Sequence, residues 1–140
     1  MLQVQVIREQ KQAVINGLQK RGLKEIEASL DTIINLDNKR KETQRKQDDL
    51  QAESNTLARE IGNLMKSGNK EEAEKLKKRT SEIKETVASL NADLTQIEAD
   101  LQKELYALPN VPAEKVPAGK SAEDNITVHT FGSIPELAEN

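Results

Sequence analysis

Apolar residues recurring every seven positions leave this chain little choice of fold. Leu36, Thr43, Leu50, Leu57 and Leu64 stand seven apart, and Ile33, Arg40, Gln47, Ser54 and Ile61 stand three residues before each. These are the d and a positions of a heptad repeat, the pattern that lays one apolar seam along a helix. A second set follows the sequence KSGNK, with Leu76, Ile83, Leu90 and Ile97 at d and Thr80, Val87, Leu94, Leu101 and Leu108 at a. Neither run contains proline. If Ser67, Gly68 and Asn69 reverse the chain, a task to which glycine and asparagine are suited, the two seams meet in a single register. Leu57 then faces Thr80, Leu50 faces Val87, Thr43 faces Leu94 and Leu36 faces Leu101. In the other rows Ile61, Ser54, Gln47 and Arg40 face Leu76, Ile83, Leu90 and Ile97. The residue numbers of every facing pair total 137, which puts the fold point between Gly68 and Asn69, where composition also places it. The expected fold is all-α, an antiparallel coiled-coil hairpin with arms of about 36 residues, roughly 54 Å long.

Composition agrees with a seam rather than a broad core. Of the 140 residues 35% are hydrophobic and 32% charged, and the aromatic side chains are Tyr106 and Phe131. Such a chain cannot fill a wide interior but can supply the narrow stripe that paired helices need. The first residues alternate briefly (Leu2, Val4, Val6) and then turn helical, with Val14, Ile15 and Leu18 before a closing Gly22. This reads as a short base helix over 8–21, beneath a hairpin of about 30–66 and 70–108, so that 1–108 forms one helical unit. Beyond it LPNVPAEKVPAGK, residues 108–120, holds three prolines within nine positions and reads as an irregular Pro-rich tail. Absence of cysteine excludes disulfides and thiolate metal sites and fits a reducing compartment. No apolar run approaches the roughly 18 residues of a membrane span, and MLQVQVIREQ lacks the layout of a signal peptide. A soluble cytoplasmic protein without a membrane partner is expected.

The formal net charge of −3 hides an asymmetry. Residues 39–46, KRKETQRK, hold five cations and one anion, whereas 81–108 hold two cations and six anions. In the register above, the basic run faces Asp93 and Glu98 with Asp100 and Glu104 close by, so much of it is expected to be neutralised across the seam. The outer half, 57–80, carries Arg59, Lys66, Lys70, Lys75, Lys77, Lys78 and Arg79 against Glu60, Glu71, Glu72 and Glu74, a surplus of three with no acidic segment facing it. Arg45, Arg59 and Lys66 share the outward f position. Outward charge is also what solubility alone requires of any coiled coil. A rod with an unneutralised cationic end can lie along a nucleic-acid backbone, where phosphate contacts give affinity without base specificity. The scarcity of aromatics argues against stacking on single strands and favours a structured RNA read by shape.

Other chemistry finds little support. His129 is the single histidine and stands in the tail without convergent partners. Asp48-Asp49 and Glu71-Glu72 are adjacent, so they point in different directions on a helix and cannot act as paired acid and base. Gly119 lies in VPAGKS, but a phosphate-binding loop would need another glycine at 114, which is Glu. No catalytic residue, cofactor site or metal site is expected. Two readings stay open: an RNA-binding arm, and a structural or chaperone-like hairpin that binds protein.

The chain resembles the N-terminal region of bacterial seryl-tRNA synthetases over essentially its whole length. A leucine-aspartate pair before basic residues and a glutamine appears as Leu36, Asp37, Lys39, Arg40 and Gln44. Glu53, Ser54 and Asn55 follow, with serine where the family has a basic residue, and Ala58 and Arg59 precede Ile61 and Gly62 where the family has serine and lysine. The irregular exit motif is matched by Pro109, Asn110, Val116, Pro117, Gly119, Glu123, Asp124 and Asn125, a signal that heptad bias cannot produce. The resemblance implies an arm that binds the long variable arm of serine tRNA, and the charge placement makes Arg45, Arg59, Lys66, Lys70, Lys75, Lys77, Lys78 and Arg79 the candidate RNA-binding residues. It implies that 109–125 is a linker and that 126–140, from ITVHTFG, begins a class II catalytic domain that is otherwise missing. In the parent enzyme that domain would bind ATP and magnesium and form a homodimer.

Overall fold

A computed structural model of the chain describes residues 2–119 and 121–133. Among these, four α-helices run in order: α1, Val4–Glu9; α2, Lys11–Gln19; α3, Ile26–Ser67; and α4, Lys70–Ala107. A short 3-10 turn, Ala122–Asp124, interrupts the tail. Helices α3 and α4, of 42 and 38 residues, pack against each other along their length as an antiparallel hairpin about 60 Å long. No strand occurs among the described residues, and none of the described helices is long and apolar enough to cross a membrane.

The heptads explain the packing residue by residue. Every a and d position named above is buried or half-buried, while the b, c and f positions of the outer arm face water. Ala73 extends the a series by one place, is fully buried, and falls opposite Leu64 in the same register. Gln47 Nε2 donates to Asn91 Oδ1 across the seam at 2.7 Å, fixing the pairing from the side chains. At the tip Gly68 adopts φ 83°, and its N–H and that of Asn69 both reach back to the Leu64 carbonyl. That left-handed closure ends α3 and leaves one residue before α4, which is why two residues suffice to reverse the rod.

The largest apolar core lies at the base. Ile7, Val14, Ile15, Leu18, Ile26, Leu30 and Ile33 are buried together with Leu101 and Leu105 of the returning helix. Each fully buried Ile or Leu contributes roughly 1.5–3 kcal/mol, so α1 and α2 hold the open end of the hairpin closed. The anticipated base helix is two helices, broken at Gln10, and the alternating start is helical rather than extended. Three alternations are too few to make a strand without a partner edge; Ile7 reaches the core from α1, and Leu2 is buried just ahead of it, beyond the extended Gln3. Helix α2 ends at Gln19, ahead of Gly22, whose φ of 74° completes the turn.

The tail is laid back along α2. Arg21 donates to the Asn110 carbonyl at 2.9 Å, and Lys20 reaches the Glu114 carbonyl at 3.5 Å. Gly17 is buried under Val111, where a Cβ would collide with Val111 Cγ1. The segment 126–132, which resemblance marks as the first strand of another domain, forms no strand here. A strand needs a neighbour to take its backbone hydrogen bonds, and Ile126, Val128 and Phe131 are all exposed. Lys120 of the linker and residues 134–140 lie outside the described residues.

Candidate nucleic-acid interface

Where the base meets the hairpin, Asp37 is buried to 4% exposure and gathers three cations. Arg8 of α1 is 2.8 Å away, Arg40 3.0 Å and Lys41 3.0 Å. Burial pushes this carboxyl up, but hydrogen bonds from Lys41, Arg8 and Arg40 outweigh it and hold the group below its ordinary value. Arg40, whose a position points it into the seam, satisfies its guanidinium by bending back to Asp37. Arg8 also donates to the Ile34 carbonyl and to Asn38, so α1 is clamped against α3 by one guanidinium.

This arrangement corrects the expected neutralisation of 39–46 across the seam. Lys41 and Arg40 pair with Asp37, Lys46 with Glu42 at 2.7 Å, and Arg45 with Asp49 at 3.9 Å, all within α3. Lys39, Lys46 and Asp93 line one shallow groove, yet among the described residues no ion pair crosses the seam there. Partners three or four residues along one helix are nearer than those on its neighbour, so the local pair wins.

The outer cations divide into engaged and unengaged groups. Lys75 pairs with Glu71 at 3.3 Å and Lys77 with Glu74 at 2.5 Å. Arg79 binds Glu53 across the seam at 2.9 Å and approaches Glu82 at 3.8 Å; the hydrogen bond with Glu53, then its charge, raises the guanidinium further above its ordinary value. An acidic residue therefore does face the outer cations, contrary to the expectation. Glu53 stands just before the outer segment 57–80, yet it and Arg79 both occupy g positions, which adjoin in an antiparallel pair. Arg59, Lys66, Lys70 and Lys78 are exposed and make no ion pair among the described residues. Arg45 is exposed too, its side chain 85% accessible, with only the long contact to Asp49. Such surface pairs are weak, about 0–1 kcal/mol, so a phosphate can displace them, least easily the cross-helix pair at Arg79.

Among the described residues no three His, Asp or Glu side chains come together as a metal site, and the shallow hollows carry no acid-base or nucleophilic set. What fold and charge define is a rigid coiled-coil arm that offers cations along its outer half. The amino-acid sequence matches the seryl-tRNA synthetase N-terminal domain over residues 1–112, and the chain belongs to that family. It is 38% identical over 135 residues to a serine–tRNA ligase of Rhizobium johnstonii and 35% identical over 137 residues to one of Neisseria meningitidis, covering 96% and 98% of this chain. It spans 31% of the length of each of these relatives. The crystal structure of seryl-tRNA synthetase from Pyrococcus horikoshii complexed with ATP superposes with a TM-score of 0.81 and 31% identity, over 94% of this chain and 29% of that one.

Proposed function

We propose that the chain is the tRNA-binding arm of a serine–tRNA ligase, and that it grips the long variable arm of serine tRNA by shape and backbone charge. The family match over the helical unit supports this reading over a protein-binding hairpin, and the unengaged cations Arg59, Lys66, Lys70 and Lys78 supply chemistry suited to phosphate. In the whole enzyme, a class II synthetase acting in the cytoplasm as a homodimer, aminoacylation would fall to the portion that this chain does not span. ATP and magnesium would bind in that same portion.

Titration of the protein with serine tRNA and with a tRNA bearing a short variable arm, across a salt series, tests the proposal. Serine tRNA should bind more tightly, and its log K should fall steeply and linearly with log salt. Equal affinity for the two RNAs would exclude recognition of the variable arm.

A further inference from the structure

An antiparallel coiled coil has two broad faces, one flanked by e and b positions of both helices and the other by g and c positions. On this arm they differ in charge. From residue 51 to 66 and back from 70 to 86, the g and c face carries Glu53, Glu60, Glu72 and Glu82 with Lys75 and Arg79, and both cations are already paired. The e and b face carries Lys70, Lys77 and Lys84 in a row, with Glu74 as its acid, paired to Lys77 within one turn of the same helix. Each lysine stands seven residues from the next, about 10.5 Å along the helix, and all three are exposed. Opposite them, α3 presents an uncharged strip, Gln51, Asn55, Ala58, Gly62 and Met65. Gly62 has nothing within 4 Å of the place a Cβ would occupy, so the strip is low and open.

We propose that the arm meets the RNA backbone through the e and b face, with Lys70, Lys77 and Lys84 each placed against a separate phosphate. This rests on the tRNA-binding reading and adds to it a direction of approach and a residue, Lys84. The two faces lie on opposite sides of a pair of helices each 10–12 Å across, farther apart than the roughly 8 Å screening length at physiological salt. A polyanion therefore senses each face separately, attracted by one and repelled by the other. The chemistry of the face fits phosphate better than protein or lipid. A protein partner would want a buried apolar or aromatic anchor, and a membrane would want an apolar stripe; Met65 is the one sizeable apolar side chain on the strip. Arg79, with more donors than any lysine, lies on the other face by its g position and is held there by Glu53.

Two triple variants of equal charge change test the proposal: Lys70→Gln, Lys77→Gln, Lys84→Gln on the lysine face, and Lys75→Gln, Arg79→Gln on the acidic face with Lys46→Gln, one heptad below Glu53 on the same g row. Glutamine keeps helix propensity, and none of the six positions is a or d, so circular dichroism should show both folded. The lysine-face triple should weaken serine tRNA binding about tenfold or more at low salt and flatten the salt slope by about 2–3 units, roughly 0.7–0.9 for each phosphate no longer neutralised. The acidic-face triple should shift affinity less than about threefold and leave the slope nearly unchanged, as expected of cations that touch no phosphate. Equal losses in the two triples, with tight binding by the parent chain, would overturn the one-faced approach alone. No salt-dependent binding by the parent chain would overturn the tRNA reading and this inference together.

Discussion

Asp37 is the one buried charge among the described residues, and its environment sets what a substitution would do. Replacing it by asparagine removes the negative charge and one of the two acceptor oxygens that Arg8, Arg40 and Lys41 share, but their side chains are 29%, 32% and 59% exposed and can turn to water. The cost of Asp37→Asn should therefore be about 1–2 kcal/mol, below the roughly 3–5 kcal/mol of breaking a fully buried pair. Because the folded carboxyl titrates below the unfolded one, an unfolded chain takes up the proton first as the pH falls. The stabilisation is complete above about pH 5 and disappears as the pH drops through the unfolded value near 4 and then the lower folded one. Urea midpoints measured from pH 7 to pH 3 should show parent and variant converging in acid; a constant gap would mean that Asp37 acts through shape and not charge. The sequence marks Asp37 but not its partner Arg8, which lies 29 residues away and depends on how α1 docks. Arg79 and Glu53 are harder still, since their meeting follows from the g positions of two helices 26 residues apart and no local pattern announces it.

Along the helices the seam is uneven. Near the tip, apolar residues meet apolar ones or fit beside small ones: Ile61 faces Leu76, and Ile83 packs over Ser54 with 2% exposure. Nearer the base, α3 turns three consecutive polar side chains, Arg40, Thr43 and Gln47, toward Ile97, Leu94 and Leu90, which remain half-buried. Truncation should report the difference: Ile83→Ala should cost about 2–4 kcal/mol and Leu90→Ala about 1–2. Filling the polar rows with Thr43→Leu and Gln47→Leu should stabilise by about 1–2 kcal/mol in total, because the hydrogen bond removed at Gln47 leaves Asn91 in contact with water. Guanidinium unfolding of the three proteins gives the comparison, and a Leu90→Ala cost equal to that of Ile83→Ala would show the seam to be uniform. The hairpin was legible because a period of seven persists even where polar residues occupy it. The split of the base into α1 and α2 was not, since six and nine residues give too few turns for a periodic signal to outweigh the alternation of Leu2, Val4 and Val6.

At the scale of the whole molecule, the contacts of the tail decide how firmly it is held against the helical unit. Proline punctuation made an irregular segment legible, but a chain broken by prolines reads the same whether it hangs loose or is fastened, and fastening depends on Gly17 of α2 and on Lys20 and Arg21 just beyond its end. Such a latch fixes the direction in which the chain leaves the helical unit after α4. Gly17→Ala isolates this latch. Alanine favours the helix by about 1 kcal/mol, while its methyl group occupies the place of Val111 Cγ1 and also crowds Pro112. The helix is held by the buried residues of the base core, whereas the tail meets it through Val111 and Pro112 and the hydrogen bonds from Lys20 and Arg21 near the surface, so the tail yields. Far-UV circular dichroism should stay at the parent level or rise slightly. Trypsin cleavage after Lys115, beside the carbonyl that Lys20 holds, should accelerate about fivefold or more, the effect of losing roughly 1–2 kcal/mol of local closure. Unchanged cleavage in a variant of unchanged helicity would show that the tail is held elsewhere and that α2 does not fix its course.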